Sequence, residues 1–516
     1  MKRTVSCLLV VSILLSLFSV AVFAEGGKCS CDKAPLVYVI GRQEVYDDPT
    51  AENPVNAIHK DKELLLDAVK EALPYLAKAV VTDKWDEYCN KLVEVMKPVF
   101  ENYKLNDEGE VTNSSGCLSS WAPGEVLDNH QSDSVYSYAY PYDPRLDPWE
   151  IADDLNAYIQ EVKQVTGHDK VALFSRCIGS AIAMAYLVKY GKPSGYEDIS
   201  CFSLYNGTIG GVVAADAFFT GNISFDSDAI ERYADEQLGT DALFQFLKMT
   251  IALFNKTYAL DLGILGIEKL YSKIKRAFPE ILLDSYATCP SYWSMLSPDK
   301  FEAAKEFVFG SKAEKYPVLI SKIDRFHDKV QVNVENILKD MKAKGINISV
   351  ICKYGSQIMP ITAEAGQSIS DNLIELSKQS YGATCSDITK TLSAEYLSKA
   401  DKRFISPDKQ IDASTALFPE YTWFIKDVAH FDFPDGISKL LVAFARSKEQ
   451  MTVDSNELYP QYLLYDYKTD SVSPLTEENC NTHNYNKSIL SRFISFITAL
   501  LKLIKEKISS AVSPKA

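Results

Sequence analysis

Along this 516-residue chain, short apolar runs alternate with longer stretches whose apolar residues recur every three or four positions. The runs at 34–43, 171–174, 199–205, 346–354 and 422–428 have the length and composition of buried strands. Residues 134–142 are tyrosine-rich and alternating, which predicts one more strand. Helices are predicted at 60–81, 85–103 and 148–166. The last has Pro148 near its start and Ile151, Leu155, Tyr158, Ile159 and Val162 on one face. A further helix, 181–190, is rich in alanine and leucine and stopped by Gly191. Strands alternating with helices predict an α/β fold with a mostly parallel sheet. Ligands of such sheets bind beyond the carboxyl ends of the strands. Gly41, Cys177 and His430 each follow such an end.

The pattern also divides the chain. No convincing strand occurs between about 215 and 345; stretches 229–238, 243–256, 263–275 and 318–342 read as helical, with Pro279, Pro290 and Pro317 as punctuation. This predicts a mostly helical cap at 215–345, inserted between core segments 25–214 and 346–450. An extension at 451–486 contains an added strand or hairpin near 459–466, and 487–516 forms an amphipathic C-terminal helix. In that helix Ser488, Arg492, Ser495, Thr498, Lys502, Lys505 and Ser509 step by three or four, leaving a wide apolar face. Its longest charge-free piece, 493–501, is too short to span a bilayer unaided. Such a helix lies in a membrane interface or packs on its own protein.

Composition narrows the setting. The chain is 47% hydrophobic with formal net charge −15, and no long basic run precedes the C-terminus, so nucleic acid is not an expected partner. Lys2 and Arg3, the apolar run 5–22 and the small-residue exit at Val22-Phe23-Ala24 read as a signal peptide over 1–24. Export permits disulfides. Of eleven cysteines, Cys7 lies in the leader, and Cys29 and Cys31 are too close in sequence for an easy mutual bridge. The scattered spacing has no zinc signature, so neither metal nor cofactor is expected.

The chemistry centres on Ser175-Arg176-Cys177-Ile178-Gly179, between the strand at 171–174 and the following helix. A sharp strand-to-helix turn lifts its central side chain above the sheet edge, in the pattern G-x-S-x-G. Here Ser175 replaces the first glycine and Cys177 the nucleophilic serine. At a helix N-terminus a thiol acidifies and becomes a strong nucleophile. The duller alternative is a small buried hydrophobe. Of six histidines, His430 alone follows a strand after the elbow, which makes it the base candidate. Asp371 ranks first as its acid and Asp408 second, with Asp412 near by; each sits in a turn that such residues also merely brace. The backbone N–H groups of Ile178 and Arg42 are the candidate oxyanion donors.

Several segments resemble one family. Tyr142-Asp-Pro-Arg-Leu-Asp-Pro148, the helix after it, Thr166-Gly-His-Asp-Lys-Val-Ala-Leu173 and the elbow resemble Y-D-W-R-L-x-P, a helix and G-x-K-V-x-L-V-x-H-S-M-G-G. That is the text of α/β-hydrolase lipases in the branch of lecithin:cholesterol acyltransferase-like enzymes and bacterial triacylglycerol lipases. Leu204-Tyr-Asn-Gly-Thr-Ile-Gly-Gly211 resembles their P-H-x-G-T segment, and Pro290-Ser-Tyr-Trp-Ser-Met-Leu296 resembles a cap motif of the acyltransferase branch. Asp371-Asn-Leu-Ile374 resembles their D-G-x-V acid loop. The chain departs from the family at Pro144, Ser175, Arg176 and Cys177. The resemblance implies hydrolysis of carboxylic esters or thioesters through a Cys177–His430–Asp371 triad. The rival readings are an acyltransferase at a membrane surface and a binding protein that kept the fold without the reaction.

Overall fold

The computed structural model describes residues 28–41, 43–58, 62–480 and 488–512; the leader and Arg42 lie outside them. The chain is α/β, built on a twisted eight-stranded sheet. Its strands are β1 (Leu36–Val39), β2 (Tyr138–Tyr140), β3 (Val171–Arg176), β4 (Ile199–Tyr205), β5 (Asn347–Tyr354), β6 (Thr422–Lys426), β7 (Tyr462–Asp466) and β8 (Ser471–Pro474). The order is β2-β1-β3-β4-β5-β6-β7-β8; all neighbours are parallel except the last pair, a hairpin. The extension thus adds two strands to the sheet.

Period-two alternation explains why both faces are covered. Val37, Val39, Val171, Leu173, Phe202, Leu204, Ile348 and Val350 face one apolar cluster with the helices α1 (Pro148–Thr166), α2 (Gly179–Tyr186) and α3 (Val334–Ala343). Tyr38, Phe174, Tyr205, Ile351, Trp423 and Ile425 face another, under α4 (Asp435–Arg446). Helix α1 begins where its proline predicts, with the Asp147 carboxylate accepting from the Trp149 N–H.

Two predicted helices differ in detail. The elbow helix does not stop at Gly191: it passes through a π-helical turn, Leu187–Gly191, and ends at Gly195, whose φ of 71° is left-handed. Gly191 is needed for space, since a Cβ there would meet the Tyr196 ring at 2.9 Å. The stretch 318–342 is broken into Pro317–Lys329 and α3 by a 3-10 turn, Gln331–Asn333. There the buried Gln331 amide donates to the carbonyls of Ser294 and Leu296. Between β4 and β5 every regular element is helical.

The order reverses between β1 and β3: from β1 the chain goes outward to β2, then returns past β1 and proceeds through β3 to β6. A crevice opens at the carboxyl ends of strands at such a switch point. Register aligns these ends, pairing Val39 with Ser175 and Tyr354 with Lys426.

Candidate active site

Cys177 follows β3 in a left-handed conformation, φ 51°, which is strained for a non-glycine residue and turns the chain abruptly into α2. The elbow fits because of the glycine it keeps. A Cβ at Gly179 would lie 2.4 Å from the Ile40 carbonyl oxygen and 2.6 Å from that of Val39. Ser175 instead sits within strand β3 and does not need glycine. The turn is also pinned from inside: Ser180 Oγ donates to the Cys177 carbonyl at 2.7 Å and accepts from the Thr208 N–H at 3.2 Å.

Three side chains from distant loops converge there. His430 Nε2 lies 3.1 Å from Cys177 Sγ, and His430 Nδ1 lies 2.7 Å from Asp371 Oδ2. The other carboxylate oxygen of Asp371 accepts from the N–H groups of Leu373 (3.1 Å) and Ile374 (2.8 Å). The His430 N–H donates to the Asp371 carbonyl at 2.7 Å. His430 and Asp371 are buried, and Cys177 is 8% exposed. Asp408, the second candidate acid, lies elsewhere: it accepts from Lys426 Nζ at 2.7 Å, Tyr354 Oη at 3.1 Å and Ser406 Oγ at 2.6 Å. Asp412 caps a turn through the Ser414 N–H and accepts from Tyr396 Oη.

Electrostatics favour charge separation. Burial alone would raise the Cys177 thiol, but His430, the Ile178 N–H and Arg176 outweigh it and hold the thiol below its ordinary value. Burial alone would lower His430, but Asp371 and Cys177 push it up to about 9. Asp371 is lowered, against burial, by His430 and Lys353. Both shifts run in the direction that favours a thiolate beside an imidazolium. The Ile178 N–H, at the start of α2, is a backbone donor beside the sulfur. Arg42, the other proposed donor, lies outside the described residues.

Two residues that the sequence reading passed over hold the histidine loop. Lys353 is buried in β5, and its Nζ donates to the carbonyls of Ala429 (2.7 Å), His430 (2.7 Å) and Asp432 (3.0 Å). Burial pushes this amine down to about 7, with Asp371 opposing. Asn206, at φ 34° after β4, donates from Nδ2 to the His430 carbonyl at 3.2 Å. Arg176 Nη2 grips the same loop, donating to Phe431 O at 2.7 Å, while its guanidinium lies over the Phe433 ring. The visible signal for Lys353 was a lone cation in the otherwise apolar run Val350-Ile-Cys-Lys-Tyr354.

The motif at 142–148 braces the loops around the site, and its Pro144 lines the cavity that reaches Cys177. Tyr142 Oη donates to the Ile40 carbonyl at 2.8 Å, holding the loop after β1. The buried Arg145 pairs with Asp143 and donates to Tyr103 O and Ser115 Oγ, and Asp147 pairs with Arg325.

A cavity of about 410 Å³ reaches Cys177 and Ile178. Its walls come from the helices Asp86–Phe100, Val213–Thr220 and Phe278–Leu283, with Met96, Phe100, Phe219, Ile281, Leu282 and Met295 among the lining residues. Polar groups are few: Ser285, Tyr286 and Tyr292. Phe431, beside the histidine and 64% exposed, stands at its edge. A scan of the chain against models of protein families finds no match, and a search among curated proteins finds none either.

Proposed function

We propose that this protein is a lipase-like α/β-hydrolase that cleaves carboxylic esters or thioesters through an acyl-cysteine. The observation that carries the reading is the Asp371–His430–Cys177 line opening on an apolar cavity at the carboxyl ends of a parallel sheet. The strand order, the helical segment between β4 and β5, and the nucleophile–acid–histidine chain order support the same fold family.

The thiolate of Cys177 attacks the carbonyl carbon, forming a C–S bond and an oxyanion that accepts from the Ile178 N–H. As the C–O or C–S bond of the substrate breaks, the imidazolium of His430 gives its Nε2 proton to the departing alkoxide or thiolate. Neutral His430 then takes a proton from water as it attacks the thioester. The collapse releases the carboxylic acid and returns the thiolate and imidazolium. Asp371 holds the Nδ1 proton throughout and stabilises the cationic ring.

The apolar walls should grade substrates by chain length. Each methylene buried in the transition state is worth about 0.8 kcal/mol, or roughly fourfold in kcat/KM. A p-nitrophenyl ester series is expected to rise by that factor per methylene until the cavity is full. A flat series, or one favouring acetate, would remove the acyl-pocket part of the reading. Product analysis with and without added alcohol separates hydrolysis from acyl transfer.

The same reading assigns the protein to the cell exterior and to lipid surfaces. Export rests on the 1–24 pattern, and recovery of a mature chain that retains those residues would overturn it. No described helix is long and apolar enough to cross a membrane. The C-terminal helix α5 (Ile489–Val512) is tied to the protein by Arg492, paired with Glu231 and Asp235, and by Phe496 against Phe246. It still exposes Leu490, Phe493, Ile494, Leu501 and Ile504, and the helix it packs on, Ala242–Lys256, exposes Leu243 and Phe254. Exposed apolar side chains of this kind suit the acyl boundary of a bilayer. Removing 488–516 is expected to abolish cosedimentation with phosphatidylcholine vesicles; unchanged binding would rule α5 out as the docking element.

A further inference from the structure

At the opposite end of the sheet, Cys29, Cys31, His130 and His168 come together, with their four ligand atoms all within 4.8 Å of one another. They arrive on separate segments: the two thiols precede β1, His130 precedes β2, and His168 lies between α1 and β3. Cys29 Sγ lies 3.5 Å from His130 Nε2, and Cys31 Sγ lies 3.5 Å from His168 Nε2. Zinc bonds of about 2.3 Å to sulfur and 2.0–2.1 Å to nitrogen give a tetrahedral S···N edge of roughly 3.6 Å. Two edges therefore already have the spacing of a metal site, and the other pairs, all within 4.8 Å, close on side-chain movements of at most about 1.5 Å.

The surroundings are those of a metal-binding histidine. Asp128 Oδ1 lies 2.5 Å from His130 Nδ1, which fixes the ring with Nε2 toward the thiols, as carboxylates do behind zinc-bound imidazoles. The His130 and His168 rings meet edge to face at 4.9 Å. The Cys29 N–H donates to the Gly167 carbonyl at 2.8 Å, and Arg446 donates to the carbonyls of Ala34, His130 and Ser132. All three segments are thus anchored by groups other than the four side chains. Gln131 Nε2, 2.7 Å from His130 Nε2 and 3.4 Å from Cys31 Sγ, is the group a cation would displace; its residue is exposed and its side chain can turn outward. Of the four described histidines, two are in this cluster, His430 is in the candidate active site, and His327 stacks on Phe301.

We propose that Cys29, Cys31, His130 and His168 form a structural Zn²⁺ site. Two thiolates and two imidazoles in a tetrahedron are a donor set that selects zinc over magnesium, calcium or manganese. Four protein ligands leave no open position, and the site lies at the amino ends of the strands, away from Cys177, so its work is mechanical. It ties the segment before β1 to loops 101 and 137 residues away in sequence. Those loops lead into β2 and β3, so zinc would clamp together the starts of β1, β2 and β3, the last of which carries the elbow. The spacing that sequence reading looks for, C-x-x-C, is absent because the ligands come as C-x-C and two isolated histidines.

The full chain, purified reduced and given zinc, is expected to retain one equivalent per molecule by elemental mass spectrometry. Cys31→Ser and His168→Gln should each lose that equivalent, Asp128→Asn should weaken it about 10- to 100-fold, and Cys177→Ser should keep it. Cobalt offered to the wild-type chain should show the intense ligand-field bands of a four-coordinate ion with thiolate charge transfer, a readout that needs no variant to fold. A substoichiometric metal content with a Cys29–Cys31 disulfide in the peptide map would overturn the proposal. So would an equivalent of zinc that survives both ligand substitutions, or six-coordinate cobalt spectra without thiolate bands.

Discussion

Cys177→Ala is expected to lower kcat/KM on a short p-nitrophenyl ester by roughly 10⁴- to 10⁶-fold, leaving only what binding and the oxyanion donor supply. The size of the loss follows from the geometry: among the described residues, Cys177 Sγ is the nucleophile at His430 Nε2, while Nδ1 faces Asp371 and the Asn206 amide. The pH dependence should match. Activity rises as Cys177 ionises, at a pH below the ordinary thiol range, and falls as His430 loses its proton through about 9. The direction follows from roles: attack needs the thiolate, and departure of the leaving group needs the imidazolium. Iodoacetamide near neutral pH should label Cys177 ahead of Cys201 and Cys289, which burial pushes up to about 11 and 12. Cys31, a proposed zinc ligand, should react only once the metal is removed, and peptide mapping separates the two thiols. Undiminished turnover by Cys177→Ala would leave the fold standing and remove the enzyme, as a binding scaffold requires.

Asp371→Asn and Asp408→Asn should have opposite signatures. In the first, one oxygen still accepts from the Leu373 and Ile374 N–H groups, so the new amide NH₂ points at His430 Nδ1. The ring must then accept at Nδ1 and carry its proton on Nε2, facing the sulfur: the wrong tautomer for a base. A fall in kcat of about 10⁴ is expected, with the loss of the carboxylate that holds His430 near 9. Asp408→Asn should leave kcat nearly unchanged and instead lower stability by about 3 kcal/mol. It leaves Lys426, whose side chain is 9% exposed, without its anionic partner at 2.7 Å. Equal kinetic losses in the two variants, with no difference in melting temperature, would contradict the assignment of roles.

The apolar periodicity carried a great deal, for a local reason. A buried strand or an amphipathic helix is written in neighbouring residues, so 199–205 and 148–166 match Ile199–Tyr205 and Pro148–Thr166 in the structure. The elbow was legible because its cause is local as well: a sharp turn after β3 needs the glycine whose Cβ would strike the Ile40 and Val39 carbonyls. The choice between Asp371 and Asp408 was not local. Both are aspartates in turns, and only the crossing of the chain past β5 and β6 shows which one reaches His430. Lys353 and Asn206 went unread because their work is to hold a loop more than seventy residues further on. The Cys29, Cys31, His130 and His168 cluster is the extreme case. Its members are spaced by up to 137 residues, and no periodicity records that three chain segments begin their strands side by side. Residue type and spacing therefore announced the elements and the sharp turn that carries Cys177, since those depend on near neighbours. Tertiary structure set Asp371 rather than Asp408 beside His430, shaped the cavity and brought the thiols to the imidazoles, since those depend on which distant loops the sheet sets next to one another.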